Sequence, residues 1–164
     1  MKSLCIFFII IFLSLHLTYA GKRSHEKGRT LIKQVEAGFY LQYVPSTVES
    51  NPKFLVLIHG MIGKDGDEKK AAKYMITNFI NTSEKHRVVL VAPMFNQTNY
   101  GANNGPMGGY RALQGRKYGA DEFINQITDK YKKLISGYDG SFYLLGHSAG
   151  GQLVSRYIQK HPER

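Results

Sequence analysis

An apolar run, Ser141-Phe142-Tyr143-Leu144-Leu145, meets a stretch of helical apolar spacing, Gly151 to Ile158, through the pentapeptide Gly146-His147-Ser148-Ala149-Gly150. The short apolar and aromatic run predicts a buried strand. The spacing after it predicts a helix. Two glycines in a five-residue G-x-S-x-G join leave one compact solution, a sharp strand-to-helix turn with the serine at its tip. Gly146 and Gly150 remove side chains that would collide with the adjacent strand and helix.

The rest of the chain alternates in the same way. Thr30 to Glu36 and Phe39 to Val44 are β-rich runs split by Ala37-Gly38, an opening hairpin. Pro45 to Pro52 is a turn-rich connector. Phe54-Leu55-Val56-Leu57-Ile58 is continuously apolar, as in a parallel strand buried on both faces. Asp65 to Asp67 offer an N-terminal cap, and Ala71, Ala72, Met75 and Phe79 carry a helix to about Asn81. Arg87 to Ala92 is a second buried strand, closed by Pro93. Residues 96–117 are rich in Asn and Gly, with Tyr100, Met107 and Tyr110 among them. Ala120 to Ile135 spaces Phe123, Ile124, Ile127, Tyr131 and Leu134 as an amphipathic helix does. Buried strands alternating with helices argue an α/β sheet with helices on both faces. There are no internal repeats, and the length fits one domain.

Met1-Lys2, an apolar run from Leu4 to Leu17 and the small-residue end at Ala20 read as a cleaved signal peptide over 1–20. The run is short for a bilayer span, so no stable membrane insertion is expected after cleavage. The expected localisation is secreted, periplasmic or extracellular, with one domain over 21–164. The single cysteine, Cys5, lies in that leader, so the mature domain rests on its core without disulfides. The formal net charge of +10 comes from scattered lysines and arginines with no nucleic-acid module pattern. That argues against a specific nucleic-acid partner, since charge alone gives only non-specific attraction. The histidines lack metal-ligand spacing, and no metal or organic cofactor is implied.

A serine at the tip of such a turn has its oxygen exposed above a helix N-terminus. Backbone N–H groups and the positive end of the helix favour a developing oxyanion there, and the Ala149 N–H is one candidate donor. His59 ends an apolar strand and is expected to hold the following loop through its ring hydrogen bonds. His147, beside the serine, is expected to orient or pack the turn. The loop over 96–117 follows a strand end, where sites form in open α/β sheets. Its Tyr100, Met107 and Tyr110 are candidates for an apolar substrate wall, with Arg111 to meet an anionic group.

Phe54 to Gly60, Val88 to Pro93 and Phe142 to Gly151 together resemble the α/β-hydrolase superfamily, in particular secreted carboxylesterases and polyhydroxyalkanoate-depolymerase-like members. The resemblance covers nearly all of 30–164. It implies an α/β-hydrolase fold: a mostly parallel sheet with helices on both faces, here ending after the nucleophile-elbow helix. It implies Ser148 as nucleophile, with the N–H groups of Ala149 and Met61 as oxyanion donors. It also implies hydrolysis of a small ester or polyester through an acyl-enzyme. Peptidase, lipase and thioesterase activities share that machinery, and a haloperoxidase or lyase on the same fold stays open.

The chain departs from the family in one respect. The acid and the histidine of such enzymes normally follow the serine. Here only Glu163 and His161 do, and a helix running through His161 places it roughly 20 Å from the serine at about 1.5 Å per residue. Asp65, Asp67, Asp121, Asp129 and Asp139 fall in capping, helical or turn positions. No base and no acid is therefore assigned. The expectation is a front part of such an enzyme that needs a complementing C-terminal chain, or a catalytically incompetent half-domain that binds. Its elbow strand should form an unpaired sheet edge.

Overall fold

The computed structural model describes residues 28–63, 66–101 and 109–164. The leader over 1–20, Cys5, the Asp65 capping position and Met107 lie outside the described residues. Strands β1 (Arg29–Val35) and β2 (Gly38–Val44) form the expected hairpin, in register from Arg29 opposite Val44 to Val35 opposite Gly38. Then come β3 (Lys53–Ile58), helix α1 (Glu68–His86), β4 (Val88–Pro93) and a short helix α2 (Gln97–Tyr100). A 3-10 turn at Gly109–Ala112, helix α3 (Ala120–Leu134), β5 (Tyr143–Gly146) and helix α4 (Ala149–Lys160) complete the order.

The described strands make one five-stranded mixed sheet in the order β1-β2-β4-β3-β5. β4, β3 and β5 run parallel, and the hairpin joins them antiparallel through β2 and β4. Strand alternation sends side chains to two cores. Phe54, Val56, Ile58, Val89 and Val91 face α3 and α4, meeting Phe123, Ile124, Ile127, Leu153 and Tyr157. Leu57, Leu90 and Ala92 face α1, meeting Ala72, Met75 and Ile76. Both faces of β3 and β4 are dry, which is why their sequences read as unbroken apolar runs.

Two expectations need correction. Helix α1 continues to His86 rather than ending near Asn81. Its last turn is polar, so apolar spacing gives no signal there. Polar bonds hold it instead: Ser83 is buried and donates its hydroxyl to Val88 O (2.6 Å), and Glu84 accepts from Ser46 N–H and from the Tyr43 hydroxyl. The second correction is β5. It spans Tyr143–Gly146 and is the sheet edge among the described residues, with Tyr143 exposed rather than buried. No helix among the described residues is long and apolar enough to cross a membrane.

Candidate active site

The parallel register of β3 and β5 sets Ile58 opposite Gly146, so both strands end at one level. The loops leaving them meet there. His147 N–H donates to Ile58 O (3.0 Å), tying the turn to β3. A side chain at Gly146 would run into the backbone of Gly150 and Gly151. One at Gly150 would strike the carbonyl oxygens of Ile58 and His59. Both positions therefore demand glycine on steric grounds, whatever their dihedrals.

Ser148 pays for this close approach in backbone strain: its φ is 54° and its ψ is −115°. A residue with a Cβ held in so sparsely populated a region costs on the order of 1–3 kcal/mol, and such strain collects at functional sites. Ser148 is exposed and sits at the N-cap of α4, yet its hydroxyl makes no capping bond. An ordinary N-cap serine would use its oxygen to satisfy the helix. Here the oxygen faces outward and stays available. Ala149 directly follows and is buried. No hydrogen bond between described residues uses the N–H of Ala149 or that of Met61.

Ser148, His147 and Met61 line one open cleft of about 650 Å³ together with His59, Gly60, Ile62 and the α1 residues Lys70, Ala71, Tyr74 and Met75. That volume suits a small-molecule ligand. The structure thus brings Ser148 and Met61 to one cleft, with Ala149 buried next to Ser148. The α1 wall was missed in sequence, because its residues belong to the site only once the helix register against the cleft is known.

His59 is 2% exposed. Its Nε2 accepts from the Phe95 N–H (3.3 Å), so Nδ1 carries the proton and donates to Gly60 O (2.7 Å). Burial pushes its pKa below the ordinary imidazole value. Both ring nitrogens are in use, and the ring braces the β3 loop against the β4 loop. His147 is exposed, and its Nδ1 lies 2.9 Å from where a Gly60 Cβ would stand, so the ring covers Gly60.

The described residues of the loop after β4 do not supply the expected substrate wall. Tyr100 and Tyr110 are core residues, and Tyr110 is only 5% exposed. The Tyr110 ring stacks on Phe95 (centroids 4.9 Å apart), and Tyr100 stacks on Phe123 (5.7 Å). The Tyr110 hydroxyl donates to His59 O (3.3 Å), and that of Tyr100 to Ala37 O (2.9 Å). Apolar area outweighed the polar composition of the loop, and both rings went under the site. Burial raises the pKa of each hydroxyl. Arg111 does not line the cleft; its carbonyl accepts from Arg156 Nη1 (3.0 Å), facing α4.

His161 lies at the far end of α4 from Ser148. Its Nε2 is 2.8 Å from Asp121 Oδ2, and Lys160 Nζ is 2.6 Å from the same oxygen. Burial pushes the Asp121 carboxyl up, but the bonds from Lys160 and His161 outweigh it and hold the group below its usual value. This cluster clamps the end of α4 onto the start of α3. Asp67 caps α1 by accepting from Lys70 N–H (2.9 Å), Asp139 accepts from Ser141 N–H (2.8 Å), and Asp129 pairs with Arg164 (2.8 Å). These four aspartates are structural.

No protein-family model matches the sequence, and no curated protein matches it. Solved structures do resemble it. A poly(aspartic acid) hydrolase from Sphingomonas sp. KT-1 superposes with a TM-score of 0.59 at 20% identity, over 84% of this chain and 52% of that one. A thermostable esterase gives 0.51 at 16% identity, over 85% of this chain and 39% of that one. The chain therefore spans about half the length of the structures it matches or less, and it has the α/β-hydrolase fold.

Proposed function

We propose that this chain carries the nucleophile of a secreted serine hydrolase that cleaves carboxylic esters. The observation that carries this reading is the strained backbone of Ser148, which leaves its hydroxyl uncapped on an open cleft. On this reading the Ser148 oxygen bonds to the ester carbonyl carbon, and the charged oxygen is met by the N–H groups of Ala149 and Met61. The carbon–alkoxy bond then breaks, and the alcohol leaves with a proton. Water attacks the acyl-serine, releasing the acid and restoring the hydroxyl. The substrate is a small ester or polyester. The serine proton needs an acceptor, and His59 has both ring nitrogens engaged while His161 sits at the opposite end of α4. The base and its acid are accordingly assigned to a complementing C-terminal stretch or chain. Secretion is supported by the sequence of residues 1–20.

A serine-directed fluorophosphonate tests this. The expected result is labelling of the folded chain in the presence of its complement that disappears in Ser148→Ala. A folded chain that takes no label, alone or with its complement, contradicts the reading. It would favour the second reading, a binding half-domain, which the engaged state of His59 and the remoteness of His161 support.

A further inference from the structure

We propose that the Ser148 cleft selects an acid half that joins an apolar group to a carboxylate. Met61 and Tyr74 flank the apolar group, and Lys70 meets the carboxylate. This rests on the serine-hydrolase reading of the same cleft and adds its substrate class.

The α1 wall carries the argument. Asp67, Lys70, Ala71, Tyr74 and Met75 recur at helical spacing and line the cleft as one helix face. Such a face normally turns into the core. Here only its lower edge does: Met75 is buried and Ala71 half-buried, whereas Tyr74 remains 66% exposed. Across the cleft Met61 is 61% exposed, with Ile62 beside it. Two large apolar side chains standing in water on a shared concave surface mark a place for an apolar ligand.

The charges add a second feature. Lys70 and Tyr74 are one helical turn apart, so they share one face of α1. Asp67, the carboxylate of the lining, is committed to capping α1 through the Lys70 N–H. Among the described residues no ion pair occupies the Lys70 ammonium, and the His59 ring is buried with its pKa lowered. Among the described lining residues Lys70 is therefore the cation without an ion pair, and its complement is an anionic group on the ligand.

Binding of two acids to the full Ser148→Ala chain tests this without requiring turnover. Terephthalate offers a flat ring with a distal carboxylate, and 4-methylbenzoate offers the ring without it. Terephthalate should bind about fivefold more tightly at low salt, the upper range for an exposed charge pair. Added salt should shrink the preference. Lys70→Gln should abolish it and Lys70→Arg keep it, while Tyr74→Ala should weaken both acids alike. Equal binding of the two acids, a preference that survives Lys70→Gln, or no binding by a folded chain overturns the proposal. The hydrolase reading fails separately: a preference present while wild-type Ser148 resists the fluorophosphonate would sink catalysis and leave the recognition standing.

Discussion

Two loops at the same end of the sheet solve opposite problems. The turn between β5 and α4 holds a polar side chain out, and the loop after β4 takes aromatic side chains in. The first does so by force: glycines on both sides let backbone press on backbone, and Ser148 absorbs the strain at φ 54°. The second does so by burial, with Phe95 and Tyr100 packed on Phe123 and Tyr110 stacked on Phe95. His59 connects them, its ring bonded by Phe95 and its carbonyl by Tyr110. The exposed serine thus stands on an aromatic plug. A loop at a strand end can serve a site as its foundation rather than as its wall.

This contrast can be broken from the plug side. Tyr100→Ala empties a fully packed core position and should cost about 3–5 kcal/mol in urea unfolding. A loss below 1 kcal/mol would show the plug to be loose. From the other side, Gly146→Ala drives a methyl into the Gly150 backbone, and a cost of about 3 kcal/mol is expected. Serine labelling should vanish there even where the chain remains folded. Retained labelling would mean that the glycine is not what shapes the turn.

A finer test reads the strain itself. Ser148→Gly should be more stable than Ser148→Ala by about 1 kcal/mol or more, because only glycine sits in that backbone region without penalty. Equal stability would deny the strain. The smallest expected effect is in pH. Burial lowers the folded-state pKa of His59 below its ordinary 6.5, so below pH 6.5 the unfolded chain takes up a proton that the folded chain refuses. The His59 contribution is complete above that pH and declines as the pH falls toward the folded value. His59→Gln should flatten that part of the stability profile relative to wild type, and an unchanged slope would mean that the imidazole is not held neutral.

The turn was legible in sequence because its constraints are local: a strand, a helix and glycines that nothing else can replace. The apolar runs of β3 and β4 were legible because both of their faces are dry. Tyr100 and Tyr110 were misjudged, since the Asn and Gly around them signal exposure while the two rings follow their own apolar area. The end of α1 was hidden because polar bonds from Ser83 and Glu84, not apolar spacing, hold it. The clamp of Lys160 and His161 on Asp121 joins residues some forty positions apart, and no local pattern announces it. Lys70 and Tyr74 look like an ordinary exposed helix face until the fold turns them toward Ser148.

The central claim is that Ser148 is a nucleophile displayed by its backbone. The direct measurement is acyl trapping: incubate the full chain, together with the complementing stretch that supplies the base, with 4-nitrophenyl acetate, quench in acid, digest and weigh the peptides. The account predicts an acetyl group on the peptide containing Ser148, absent from Ser148→Ala. Acetylation of a folded chain that falls only on lysines, and equally in Ser148→Ala, would contradict it.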